Sequence, residues 1–161
     1  MDTYNLTTTT ELQQAVHTIK TAILKSQSRA ARLISGTQLS LYFGVGLYVS
    51  SNSRKGTWGT GAIEVISNQL RRELPGLKGF SAQNIRNMRQ FAEFWQAYLI
   101  YSPMASEINR DEFLGISFSH HMEILHKTKK IDEVLHCIHE TVIHQWDKYT
   151  LRDVLKMKQY G

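Results

Sequence analysis

The sequence predicts an all-α, multi-helix domain, and three observations lead there. Among 161 residues there are only 2 prolines, so long stretches lack the residue that breaks helices. No run of β-branched residues alternates with polar ones, as a half-buried strand requires. Apolar residues recur instead three and four positions apart, the spacing of a buried helical stripe.

The elements follow in chain order. A long helix is expected after Thr9 or Thr10, where a hydroxyl can cap it. Leu12, Val16, Ile19, Ile23 and Ala30 form its stripe. Ser35, Gly36 and Thr37 end or weaken it. In "QLSLYFGVGLYVSSN", Leu39, Leu41, Tyr42, Val45, Leu47 and Tyr48 are apolar on nearly all sides, as in a helix within a core. Gly44 and Gly46 each cost about 1 kcal/mol relative to alanine, which close approach of another helix would offset. "GVG" lacks the lysine and third glycine of a phosphate loop. "SSNSRKGTWGTG" is a break, with Trp58 as an anchor on the core.

A helix is expected near 60–73, with Ile63, Ile66, Leu70 and Leu74 inward. Arg71 and Arg72 fall in its last turn, where cations complement the helix dipole. Pro75 and Gly76 stop it, and Gly79 frees the turn. Ser81 then caps a helix over 81–98, with Ile85, Met88, Phe91, Ala92 and Trp95 inward. Two helices joined this way form a helix-turn-helix-like core.

The rest completes a single domain over 1–161: a linker over 99–118 and C-terminal helices over 119–158. "INRDEF" forms a short helical turn within the linker. Ser117 or Ser119 caps the next helix. Ile131, Val134, Leu135, Ile138, Val142 and Ile143 share one side of the helix after it. Thr150 and Asp153 form a capping box for the last helix.

Composition bounds the function. Hydrophobic residues make up 42%, enough for a packed core. A chain of this length needs no metal or disulfide staple. The single Cys137 cannot form an internal disulfide, which fits a reducing, cytoplasmic location. No apolar run is long enough to span a bilayer, and the N-terminus lacks the pattern of a secretory signal.

The net charge is +5, and its placement is uneven. Residues 54–90 carry Arg54, Lys55, Arg71, Arg72, Lys78, Arg86 and Arg89 against Glu64 and Glu73, an excess equal to that of the whole chain. Residues 91–161 carry more acids than bases. This is the pattern of a polyanion-binding face with a solvated back.

The helix at 81–98 is the candidate reader. In a helix-turn-helix the second helix enters the major groove with its N-terminal residues first. Arginine matches guanine, and Asn or Gln matches adenine. Lys78 and Arg86 are assigned to phosphate, and Gln83, Asn84 and Asn87 to bases. Ser81 and the helix N-terminus can hold a phosphate. Arg89 contacts DNA or, one position from the inward Met88, serves the structure. Arg54, Lys55, Arg71 and Arg72 are second-line phosphate contacts. About six neutralised phosphates would give a log–log salt slope of about −5. RNA is an alternative ligand, and a protein-interaction or homodimerisation module is the rival reading.

Four blocks resemble the N-terminal domain of the YhcG family of bacterial proteins. They are "LYFGVGLYVS", "WGTGAIEVISNQLRRELPGLKGFSAQNIRNMRQFAEF", "FSHHMEIL" and "HQWDKYTLRDVL". The resemblance spans roughly residues 38–155 and is most specific at Gly79, Phe80, Ser81, Asn84, Met88, Arg89 and Phe91. Phe43, Leu74 and Phe118 stand where the family commonly has Trp, Phe and Trp, and Asp147 where it has Ser. Such members usually continue into a PD-(D/E)XK nuclease domain. This sequence has no Glu-x-Lys and no β-rich half, so the resemblance implies an accessory or nucleic-acid-binding module, with a nuclease domain or protein as partner.

No catalytic set, metal or cofactor is expected. Cys137 lies beside His136, but sequence neighbours on a helix do not face each other. His136 and His139 could supply one ligand pair, without the second pair that zinc requires. His120 is read as a structural histidine, hydrogen-bonded at the cap with Ser119.

Overall fold

The chain forms eight helices and no strand among the residues that the computed structural model describes, which are 2–29, 35–54, 56, 58–101 and 108–158. In order they are α1 Asp2–Arg29, α2 Ser35–Arg54, α3 Ala62–Glu73, α4 Ala82–Tyr101, α5 Arg110–Leu114, α6 Phe118–Lys127, α7 Ile131–His144 and α8 Lys148–Lys158. The all-α expectation is met. Ala30 and Lys55 lie outside the described residues. The chain divides into two compact units, 1–32 with 40–93, and 33–39 with 94–161.

In the first unit, α1 starts at Asp2 rather than after Thr9 or Thr10. Threonine inside a helix costs only about 0.7 kcal/mol or less, so the threonine run does not exclude helix. Leu12, Val16, Ile19 and Ile23 are buried as their spacing predicts, and α1 packs along α3. Ile66 and Leu70 of α3 are 1% and 0% exposed. Burial at that level contributes about 1.5–3 kcal/mol per large aliphatic side chain.

Gly46 of α2 lies against α4. A Cβ there would stand 2.1 Å from the Met88 carbonyl oxygen. Gly44 does not share this role, because a Cβ there would meet nothing within 4 Å. Trp58 packs edge-to-face on Tyr48, with ring centroids 6.0 Å apart.

Below the turn between α3 and α4, the buried Ser67 hydroxyl donates to the Phe80 carbonyl at 2.7 Å. The bond fixes the turn to the core. Ser67→Ala leaves that carbonyl without its donor and is expected to cost about 1–3 kcal/mol. Urea unfolding reads the loss as a lowered midpoint with an unchanged m-value.

In the second unit, the caps decide where helices begin. Asn109 caps α5, its side chain accepting from Glu112 N at 3.1 Å. Ser117, not Ser119, is the partner of His120. Ser117 N donates to His120 Nδ1 at 3.1 Å, and His120 N donates to Ser117 Oγ at 3.3 Å. A capping box needs members three positions apart, which Ser119 and His120 are not. With Nδ1 accepting, the neutral ring carries its proton on Nε2, which lies 2.7 Å from the Trp146 carbonyl as donor. The predicted box of Thr150 and Asp153 is likewise displaced. Asp147 caps α8 by accepting from Thr150 N at 2.8 Å. Hydrogen bonds from Thr150 hold the Asp147 carboxyl below its ordinary value.

The buried stripe of α7 is Val134, Cys137, Ile138 and Thr141. Leu135 and Val142 are half-buried, and Ile143 is 56% exposed, against expectation. Seven apolar positions in so short a helix exceed one packed face, and Ile143 falls at its edge. His121 of α6 is 1% exposed. Its Nε2 stands 2.9 Å from the Phe113 carbonyl, and burial lowers its pKa to about 4.

Candidate nucleic-acid interface

The connection Leu74–Ser81 is built by its residue types. Leu74 N closes α3 on Leu70 O at 2.9 Å, and Leu77 N bonds Leu74 O at 3.0 Å. Gly79 has φ 87°, and a Cβ there would stand 2.4 Å from Tyr42 Oη. The positive φ favours glycine, and the Tyr42 hydroxyl leaves little room for a side chain there. Phe80 is buried edge-to-face on Tyr42. Ser81 caps α4 as predicted, accepting from Asn84 N at 3.1 Å. The connection is longer than the three or four residues of a compact helix-turn-helix.

Ile85, Met88, Phe91, Ala92 and Trp95 are buried. That packing turns the amides of α4 outward. They form a relay: Gln83 Nε2 donates to Asn87 Oδ1 at 3.2 Å, and Asn87 Nδ2 to Asn84 Oδ1 at 3.4 Å. Asn84 Nδ2 donates to the Gly79 carbonyl at 2.7 Å. Asn84 is half-buried and staples the turn, while Gln83 is exposed.

The arginines divide into two groups. Arg86 pairs with Glu64 of α3, and its hydrogen bond holds the Glu64 carboxyl below its ordinary value. Arg54 binds Glu93 through Nε at 3.1 Å and Nη2 at 3.3 Å, and Ser50 donates to the same carboxylate at 2.6 Å. Burial opposes ionisation of Glu93, but the hydrogen bonds from Arg54 and Ser50 prevail and keep its pKa low. Arg89 is half-buried. Its Nη1 donates to Ser53 Oγ at 2.9 Å, and its Nε is buried without a partner. Burial, followed by Arg54, lowers its pKa.

Arg71, Arg72, Lys78 and Ser81 are exposed. Arg71 Nη2 bonds the neutral Asn68 side chain at 2.8 Å, which leaves its charge uncompensated there. Glu73, the nearest acid in sequence, bonds Lys20 of α1 at 3.0 Å and Gln69 at 2.9 Å. Lys55 lies outside the described residues. Sequence reasoning missed Glu64, Glu93 and Lys20 as partners. Each pair joins different helices, and no local spacing signals it.

In the second unit, His139 bonds Glu112 at 2.5 Å, and His144 and His136 stand 3.0 and 3.6 Å from Glu140. Among the described residues no three potential ligands come together to hold a metal ion. No described helix is long and apolar enough to cross a membrane.

A model of the DUF1016 N-terminal domain family matches residues 18–161. No curated protein and no solved structure matches the chain.

Proposed function

The chain belongs to the DUF1016 N-terminal domain family, and from that premise we propose that it is a non-catalytic DNA-binding module of helix-turn-helix type, accessory to a nuclease or DNA-processing system. The observation that carries this reading is the exposed set around the start of α4. Arg71, Arg72 and Lys78 lie before it, Ser81 caps it, and Gln83 follows. No acid occurs between Glu73 and Glu93. α3 is tied to α4 by the Arg86–Glu64 pair, and α4 presents its N-terminal turn, where backbone N–H groups and the dipole favour a phosphate.

Arg54 and Arg86 are engaged by Glu93 and Glu64. The first-line phosphate contacts are therefore Arg71, Arg72 and Lys78, and the base-facing groups are Gln83 and Asn87. Three such contacts give a log–log salt slope of about −3, shallower than the charge count alone suggests.

Fluorescence anisotropy with duplex DNA at several salt concentrations tests this. Arg72→Gln and Lys78→Gln are expected each to weaken binding and to reduce the slope by about 1. A salt-independent affinity, or variants indistinguishable from wild type, would overturn the proposal. A concentration-dependent mass without duplex affinity would favour the dimerisation module.

A further inference from the structure

Residues 91–161 are acidic on balance, yet α8 is not. Between Lys148 and Lys158 it gathers Lys148, Arg152, Lys156 and Lys158 against the single acid Asp153. Leu151 and Leu155 are 0% and 1% exposed, so they fix which side of the helix faces out. Tyr149 is on that outer side, 61% exposed. Two cations lie over its ring, Lys148 Nζ 5.1 Å and Arg152 Cζ 5.5 Å from the centroid.

Arg152 is itself fixed by Glu123, at 2.6 Å through Nη2 and 3.0 Å through Nε. That carboxylate offsets its charge and makes Arg152 a positioning residue for the ring. The free positive charge belongs to the lysines. Lys148, Arg152 and Lys156 recur every four residues, a step of about 6 Å along the helix.

We propose that this face of α8 binds single-stranded nucleic acid. Tyr149 stacks on an unpaired base, while Lys148 and Lys156 contact the phosphates beside it. A solvent-exposed aromatic ring together with neighbouring cations is the combination by which proteins hold single strands. In a duplex the base faces are covered by their neighbours, so the ring has no surface to take. A lipid surface fits less well, because the apolar side of α8 is already buried in its own unit and cannot enter a bilayer. An acidic protein segment would engage the lysines but would not need the ring. The proposal does not depend on the reading of α3 and α4.

The test is anisotropy of the full chain with labelled oligo-dT and oligo-U strands of about 15 nucleotides, and with a duplex of equal length. Tyr149→Ala is expected to weaken strand binding about tenfold or more, and Tyr149→Phe to retain it. Lys156→Gln should reduce the salt slope for strands by about 0.7. Duplex binding should be unaffected by Tyr149→Ala, which separates this face from the one at α4. The relative affinities for oligo-dT and oligo-U show which sugar the face accepts. Equal losses in the Ala and Phe variants, no loss in either, or the same dependence with duplex would overturn the proposal. Tyr149 and Lys156 are exposed, so circular dichroism should show both variants folded. If Tyr149→Ala were unfolded, an unchanged slope in Lys156→Gln would overturn it alone.

Discussion

Gly46→Ala is expected to destabilise the protein by about 3 kcal/mol, and Gly46→Val by more. The new Cβ would stand 2.1 Å from the Met88 carbonyl oxygen, 2.6 Å from its carbon and 2.8 Å from the Ala92 Cβ. Two of these neighbours are backbone, so no rotamer change relieves the overlap, and α2 must move away from α4. That movement would disturb the packing of Met88 and Phe91, both 0% exposed. The same helix supplies a control. At Gly44 a Cβ meets nothing within 4 Å, and Gly44→Ala is expected to stabilise by up to about 1 kcal/mol through helix propensity. Urea unfolding followed by circular dichroism measures both. Opposite signs at two positions of one helix would come from packing, since propensity favours alanine at each. A Gly46→Ala protein as stable as wild type would mean that α2 and α4 do not approach this closely.

Acid should destabilise the second unit through His121. The ring is buried, and burial lowers its pKa from 6.5 to about 4. Above pH 6.5 both folded and unfolded states hold it neutral, and the full stability is present. Between 6.5 and 4 the unfolded chain takes up a proton that the folded state refuses, so stability falls as pH falls. The loss reaches about 3 kcal/mol once pH is below both values. His121→Gln removes the titration while keeping a side-chain donor for the Phe113 carbonyl. Unfolding midpoints at a series of pH values should fall less steeply in the variant than in wild type over that window. Carboxylates such as Glu93 and Asp147, whose pKa values are lowered, contribute below the ordinary carboxylate range in both proteins and cancel in the comparison. Parallel pH profiles would exclude His121 as the source.

The sequence by itself determined the elements, because their causes are local. A stripe such as Ile85, Met88, Phe91 and Ala92 is set by a period of 3.6 residues, and the cap at Ser81 depends on groups three residues away. The turn was equally legible, since Pro75, Gly76 and Gly79 carry their constraints in their own backbones. Locality also explains the errors. Asp147 and Thr150 have the same spacing as Thr150 and Asp153, and only the start of α8 separates the two boxes.

Only the tertiary structure decided what the charged groups face. Arg86 and Glu64 are 22 residues apart, and Arg54 and Glu93 are 39 apart. Their pairing follows from which helices pack together, and charge counting treats them as independent. The candidate surface at α4 accordingly narrows to Arg71, Arg72 and Lys78, for which no acid among the described residues forms an ion pair. The basic face of α8 emerged for the same reason. A charge summed along the chain averages over all sides of a helix, whereas a ligand meets only the side that packing leaves exposed.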